Sequence, residues 1–247
     1  MILYKYLSPK RFGVLENRKI AFPRLTHMND PYEGQISWML LEDEQKEAEN
    51  DDFRIERIQY QVHIEKTINQ FGILCLSNTP DNILMWSHYA ANHQGFLIGF
   101  DTSHDFFNTT EKEIDYHWQL TETLIAPGFG SVRPIEYRRQ LLNIPTNGNY
   151  SLYNVFFAKS YHWQYEKEYR IVKNVLEVTS NYHFEQRGKI MFLEFPVDAI
   201  KEFILGLNTS KEHVNALNDL AKTEFKHVRL GKVELDFNNY QLKIIWL

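Results

Sequence analysis

Two short, continuous apolar runs constrain the fold of this chain more than any other feature of its sequence. They extend from Gly72 to Leu76 and from Phe96 to Phe100. Apolar runs of this length are typical of strands with hydrophobic neighbours on both faces, as in the middle of a sheet. A helix that begins with Pro80, after a cap at Asn78 or Thr79, fits between them. The sequence therefore predicts a central sheet with at least one helix packed beside it.

Strand and helix patterns alternate irregularly along the rest of the chain. Strands are predicted over residues 3–6, 19–22, 132–137, from 166 onward, 191–195, 203–207, and as a hairpin over 228–247. Helices are predicted over residues 9–15, 150–159 and about 210–225. Such a mixture is typical of α+β domains rather than of doubly wound sheets. We expect one α+β domain over residues 1–247, with mixed, mainly antiparallel central sheets, flanking helices, and a helical, acidic insertion at about 40–70.

Composition excludes several classes of function. The 247 residues carry a formal charge of −5, so there is no overall basic field that would attract nucleic acid. The charge leaves open a local basic patch, for example around Arg133, Arg138 and Arg139. The single cysteine, Cys75, excludes an internal disulfide and a cysteine-rich zinc site. No apolar stretch approaches the roughly 20 residues of a membrane span, so we expect a cytoplasmic protein with no membrane partner.

Standard catalytic motifs are absent from the sequence. It contains no glycine-rich phosphate loop, no Gly-x-Ser-x-Gly and no His-Glu-x-x-His. His27, Asp30 and Glu33 could ligate a metal from a loop, but Pro31 breaks any helical spacing and a simple turn explains them equally. We therefore expect no metal site.

The stretch that begins at Trp163 combines charge with aromatic side chains. Alternate residues of a strand share a face, so Glu166, Glu168 and Arg170 are predicted to point one way. Tyr165, Tyr169 and Ile171 are then predicted to point toward a core. The charged face is either a Glu–Arg pair on an edge strand, which stabilises little, or an acidic pair that binds a cation or a sugar.

A second aromatic segment, Met85 to Tyr89, has helical spacing. Trp86 and Tyr89 are three positions apart and share a helix face. This face either packs into the core or forms a pocket wall from which His88 or Tyr89 donates hydrogen bonds. We predict a pocket between the region Ser77–Tyr89 and the strand within Trp163–Arg170.

The motif segments taken together resemble a bacterial family that is catalogued only as a domain of unknown function. The segments are Leu3–Tyr6, Asn29–Glu33, Met85–Tyr89 followed by Gly95, Trp163–Arg170 and Ile204–Gly206. The resemblance extends over nearly the full length of the chain.

The order of elements also resembles the ADP-ribosyltransferase fold, including its DNA-modifying toxin branch. Lys5 stands where those proteins carry His or Arg on a first strand. Ser77 or Tyr89 matches their middle Ser or Tyr, and Glu168 matches the catalytic Glu that begins a late strand. Glu166-Lys167-Glu168 is similar to their Glu-x-Glu motif.

This second resemblance implies an enzyme that uses NAD to modify a nucleic-acid or protein acceptor, as a toxin or phage-defence effector. It implies that Glu168 stabilises the oxocarbenium-like transition state and that Glu166 orients or deprotonates the acceptor. The substrate-binding residues would be Lys5, Tyr6, Ser77, Trp86, His88, Tyr89, Trp163, Tyr165 and Arg170. The alternative is a non-catalytic sensor module that binds a nucleotide in the same pocket. A metal-dependent nuclease is disfavoured because the acidic residues lack repeated metal-site spacing.

Overall fold

The structure is a computed structural model that describes residues 1–34, 36–38, 55, 58, 62, 65–108, 129–144, 152–174, 184–187 and 190–247. Residues 55, 58, 62 and 65–68 are helical. The acidic part of the predicted insertion, residues 42–52, lies outside the described residues. No described helix is long and apolar enough to cross a membrane.

Short strands make up most of the regular structure. In chain order they are β1 (Ile2–Leu7), β2 (Lys19–Pro23), β3 (Ile36–Trp38), β4 (Phe71–Ser77), β5 (Phe96–Asp101), β6 (Arg133–Pro134), β7 (Glu136–Arg138), β8 (Leu142–Ile144), β9 (Ala158–Ser160), β10 (Glu168–Asn174), β11 (Phe184–Arg187), β12 (Ile190–Glu194), β13 (Ile200–Leu205), β14 (Arg229–Asp236) and β15 (Gln241–Trp246). The α-helices are α1 (Gly13–Asn17), α2 (Ile83–Tyr89), α3 (Leu152–Phe157) and α4 (Lys211–Thr223). Shorter 3₁₀ helices span Pro9–Arg11, Leu25–His27, Asp105–Phe107, Tyr161–Glu166 and Val197–Ala199.

One large sheet organises the described residues. Its eight strands lie in the order β15-β14-β13-β5-β1-β4-β10-β6. The pair β13 and β14 is parallel, whereas the other neighbours in this sheet are antiparallel. A three-stranded antiparallel sheet, β11-β12-β2, and two parallel pairs, β3-β8 and β7-β9, complete the arrangement. The prediction of mixed α and β structure with a mainly antiparallel sheet is confirmed.

The two predicted apolar strands lie next to β1 on either side. The runs at 72–76 and 96–100 form β4 and β5, and both strands are buried along nearly their whole length. Side chains alternate between the two faces of a strand, so each face of the large sheet needs its own cover. That requirement explains the apolar character on both sides of these strands.

The two faces of the large sheet carry different cores. Leu74, Ile98 and Ile171 belong to the largest buried cluster, together with residues of β2, β12 and α4. The opposite face carries two smaller clusters, one around Ile73 with α3 and one around Trp86 of α2. Strand β10 contributes Val172 to the first of these smaller clusters, and Glu168 and Arg170 of the same strand share that face.

Helix α2 is capped by a different residue from the one that the sequence predicted. Asn82 accepts hydrogen bonds from the backbone of the first turn, at 2.9 and 3.2 Å. Asn78 and Thr79 lie too early in the chain, and the backbone N–H of Thr79 instead donates to Ser77 Oγ at 3.2 Å. The predicted cap was therefore wrong by three to four positions, because a second capping residue follows Pro80.

Candidate functional site

The charged strand begins at Glu168, two residues later than predicted. Glu166 is the last residue of the 3₁₀ helix Tyr161–Glu166, so the prediction that it lies on the strand was wrong. Lys167, between the two glutamates, has a φ of 44° and adopts the left-handed conformation. This turn of the backbone brings Glu166 and Glu168 to the same amine although only Glu168 belongs to the strand.

That amine belongs to Lys159, on the short strand β9. Its Nζ donates to Glu166 Oε2 at 2.6 Å and to Glu168 Oε2 at 2.8 Å, and lies 3.6 Å from Glu33 Oε1. The side chains of Lys159, Glu166 and Glu168 are each 4% exposed. Carboxylates are rarely buried without a cation nearby. The amine of Lys159 is a cation that all three of these carboxylates share.

Arg170 binds two of these three carboxylates, those of Glu168 and Glu33. It is fully buried and donates from Nε to Glu168 Oε1 at 2.7 Å. Its two terminal nitrogens form a pair of bonds to Glu33, at 2.5 and 3.0 Å, and one also donates to the backbone carbonyl of Phe156 at 2.7 Å. We refer to Glu33, Lys159, Glu166, Glu168 and Arg170 as the ion cluster.

Tyrosine and serine hydroxyls connect the ion cluster to the sheet and to α2. The hydroxyl of Tyr89 donates to Glu166 Oε1 and accepts from Asn29 Nδ2 at 2.8 Å. Ser77 donates from Oγ to the backbone carbonyl of Glu166 at 2.6 Å. The backbone N–H of Glu168 donates to the hydroxyl of Tyr137 at 2.7 Å. These contacts fix the position of both glutamates from several elements at once.

The ion cluster is not neutral when every group is ionised, because three carboxylates face two cations. Burial would raise the pKa of Glu168, but the charges of Arg170 and Lys159 outweigh it and hold that pKa well below its usual range. Burial raises the pKa of Glu166, and the neighbouring charge of Glu168 acts in the same direction. Lys159 keeps a pKa above its usual range because the glutamates outweigh its burial. The surroundings therefore shift the pKa values of Glu166 and Glu168 in opposite directions.

Two further aromatic residues lie at the edge of the ion cluster. Tyr165 places its hydroxyl 3.1 Å from His88 Nδ1, which is exposed on α2. Lys159 Nζ lies 5.1 Å from the centre of the Trp163 ring, a cation–π distance. The fold therefore brings together eight of the predicted site residues: Ser77, His88, Tyr89, Trp163, Tyr165, Glu166, Glu168 and Arg170.

The remaining predicted site residues have other surroundings. Lys5 donates from Nζ to the backbone carbonyl of Cys75 at 3.0 Å, and alternation along β1 places it on the face of Leu3. Tyr6 is buried and donates to the carbonyl of Thr79 at 2.6 Å. Trp86 is fully buried and donates to the carbonyl of Pro80 at 2.7 Å. Their assignment to substrate binding stays a prediction.

The sequence did not single out Lys159 or the pairing role of Glu33. Glu33 was considered only as a loop residue that could ligate a metal. Among the described residues, no group of three or more His, Cys, Asp or Glu side chains is arranged to hold a metal ion. A signal was nevertheless present, because two glutamates and one arginine on a buried strand require another cation nearby.

A cavity of about 300 Å³ adjoins the ion cluster, with Lys159 in its wall. Its other walls come from the segment Arg138 to Leu142, from Val155 on α3, from His162 and from Tyr32 with Gly34. The pocket was predicted between the region Ser77–Tyr89 and the strand within Trp163–Arg170, and none of the described lining residues of this cavity belongs to either segment. Between those two segments, Tyr89 donates to Glu166 and the Tyr165 hydroxyl lies 3.1 Å from His88 Nδ1.

Comparison with known proteins gives one match. The search of curated proteins and the search of solved structures found no match. Residues 85–171, from helix α2 to the middle of β10, match a family model. This segment includes every member of the ion cluster except Glu33. The resemblance to a family without known activity is thereby confirmed over residues 85–171, and its nearly full-length extent stays a prediction; the family is described as "Protein of unknown function (DUF2971)".

Proposed function

We propose that this protein is a non-catalytic module that binds a nucleotide. One observation carries the proposal: each carboxylate oxygen of Glu166 and Glu168 already accepts a hydrogen bond from a side chain of this protein. A catalytic carboxylate has to come within about 2.6–3.2 Å of the group that it acts on. Here Lys159, Arg170 and Tyr89 occupy those positions, and the glutamate side chains are 4% exposed.

The energy of the ion cluster supports a structural role for the glutamates. Removing one partner from a buried ion pair costs about 3–5 kcal/mol, because the other charge is left without compensation. Freeing Glu168 for a substrate would break its contacts with both Lys159 and Arg170. The cluster instead joins β9, β10 and the loop of Glu33 into one rigid wall beside the cavity, as a preformed binding site requires.

An NAD-dependent ADP-ribosyltransferase is the second candidate, and one observation favours it. Glu168, the first residue of β10, is the register partner of Ser77 at the end of β4. These are two of the positions at which the transferase resemblance expects its functional residues. For this candidate, Lys159 has to leave Glu168 when NAD binds, so that the carboxylate can reach the ribose.

One experiment separates the two candidates. Purified protein is tested for nicotinamide release from NAD, with and without nucleic acid or cell lysate, and for calorimetric binding of a panel of mononucleotides and dinucleotides. Wild type is compared with Glu168→Gln and with Glu234→Gln, a control at an exposed glutamate of β14 that does not line the cavity. Urea unfolding shows whether each variant is folded.

The proposal expects binding of at least one nucleotide without nicotinamide release. Release by wild type that is lost in folded Glu168→Gln would overturn the binding module and establish the transferase. Absence of binding for every nucleotide tested would also overturn it. Binding that persists in folded Glu168→Gln supports it, because the binding module does not use this carboxylate on its ligand.

A further inference from the structure

The cavity beside the ion cluster is lined by residues of basic type, among which the arginines and the lysine carry positive charge. Arg138 and Arg139 approach it from the end of β7, Lys159 from β9, and His162 from the 3₁₀ helix Tyr161–Glu166. Among its described lining residues there is no aspartate or glutamate. A concave surface with one sign of charge concentrates ligands of the opposite sign.

The two arginines, rather than the lysine, carry the charge that a ligand can use. Lys159 is neutralised by the glutamates of the ion cluster. Arg138 pairs with Glu136 at 2.8 Å, but both side chains are substantially exposed, at 39% and 63%, and such a pair is weak. An anionic group of a ligand bound in the cavity can therefore displace Glu136 from Arg138 at little cost in free energy.

Arg139 is held in place without losing its charge. Its guanidinium carbon lies 4.3 Å from the centre of the Tyr161 ring, which is a cation–π contact. The ring orients the guanidinium and leaves its N–H groups available. Two neighbouring guanidinium groups match the oxygens of a phosphoryl group, because each presents parallel N–H donors in a planar fork.

Small donors and an apolar wall complete the site. Ser160 Oγ lies 3.2 Å from His162 Nδ1, and both residues line the cavity. Leu142 and Val155 form part of another wall. At about 300 Å³ the cavity is at the lower end of the range of roughly 300–1,000 Å³ that is usual for small-molecule sites. It suits a phosphoryl group with an attached sugar better than an entire dinucleotide.

We propose that Arg138 and Arg139 bind a phosphoryl group of the ligand in this cavity. The proposal rests on the proposed function, because it assigns the phosphate end of the nucleotide to this site. The same chemistry would also hold inorganic pyrophosphate. The experiment therefore contains an arm for each source.

The test measures calorimetric binding of ADP, adenosine and inorganic pyrophosphate to the full chain. The variant is the double substitution Arg138→Ala with Arg139→Ala. The matched control is Arg133→Ala, which removes an exposed arginine of β6 that does not line the cavity. Urea midpoints of the three proteins verify the fold.

We expect ADP to bind wild type and Arg133→Ala equally, and adenosine to bind at least tenfold more weakly than ADP. The double variant should lose at least tenfold in affinity for ADP. Raising the salt concentration should weaken ADP binding to wild type more than to the double variant, because the arginine charges are screened.

Three outcomes distinguish the two proposals. ADP affinity that is unchanged in the folded double variant overturns the cavity site and leaves the nucleotide module standing. Adenosine binding as tight as ADP binding also overturns the phosphoryl site. Arginine-dependent binding of pyrophosphate, with no binding of any nucleotide, supports the phosphoryl site and overturns the nucleotide module.

Discussion

Replacement of Lys159 by Met tests whether the ion cluster holds the fold together. Met keeps most of the apolar stem and removes the amine. The substitution breaks contacts of 2.6 and 2.8 Å to Glu166 and Glu168 and the longer approach to Glu33. Among the described members of the cluster, three carboxylates are then left with Arg170 as their cation.

The expected loss of stability follows from this imbalance. Removing one partner of a buried ion pair costs about 3–5 kcal/mol. Lys159 has two close partners, which places the effect toward the upper limit. Burial already raises the pKa of Glu166, so this carboxylate can take up a proton once the amine is removed. Its protonation removes one uncompensated charge and places the loss of stability toward the lower limit. We expect a loss of about 3–5 kcal/mol in the free energy of unfolding at pH 7, with a smaller loss at pH 5.

Urea unfolding followed by tryptophan fluorescence measures this loss. The matched control is Lys201→Met, which removes an amine that donates to a backbone carbonyl at the surface and should change stability by no more than about 0.5 kcal/mol. The double variant Lys159→Met with Glu166→Gln should recover at least about 1 kcal/mol, because it removes an uncompensated charge. A loss below about 1 kcal/mol in Lys159→Met, or no recovery in the double variant, would refute the reasoning.

Three further substitutions probe the contacts around the same sheet. Tyr89→Phe removes the hydroxyl that donates to Glu166 Oε1, so urea unfolding should show a loss of about 1–3 kcal/mol; an unchanged midpoint would contradict that bond. The raised pKa of Glu166 means that this carboxyl group binds more proton in the native state than in the unfolded state above about pH 4.3, so its contribution to stability should fall as the pH rises from there. Glu166→Gln should flatten this decline in urea titrations from pH 4.5 to about 8, and an identical slope in both proteins would exclude Glu166 as its source. Gly95→Ala would place a Cβ 2.0 Å from the carbonyl oxygen of Leu7 and should prevent stable folding, whereas Gly13→Ala, whose Cβ would meet a side-chain nitrogen at 3.3 Å, should leave the circular dichroism spectrum and thermal midpoint nearly unchanged.

The local sequence pattern was sufficient to predict those elements whose residue types are determined by burial. β4 and β5 were predictable because strands covered on both faces have to be apolar at successive positions. The orientation of Arg170 relative to Ile171 was predictable for the same geometric reason, since alternate side chains of β10 face opposite cores. These features depend on a few neighbouring residues and on no distant contact.

Tertiary contacts decided the features that the sequence did not reveal. Residues 150–159 have one helical pattern, yet α3 ends at Phe157 and Ala158–Ser160 pairs with β7 in a parallel ladder. Lys159 thereby reaches the glutamates from a strand. Lys167 adopts the left-handed conformation, which could not be predicted because the position carries neither glycine nor asparagine, the residues that usually adopt it. Glu33 is 137 positions from Arg170, so only the completed fold brings them together.

The place of β1 in the large sheet determines the order in which the domain can assemble. Strand β1 lies between β5 and β4, and Tyr6 meets its partner Thr79 across 73 positions of chain. Tyr4 of the same strand bonds to Glu202, which is 198 positions away. A ribosome therefore exposes this hydrophobic segment long before any strand can pair with it. Long-range pairing of this kind slows folding and prolongs exposure to aggregation, so refolding should be slow, and a chaperone that shields β1 should raise the yield.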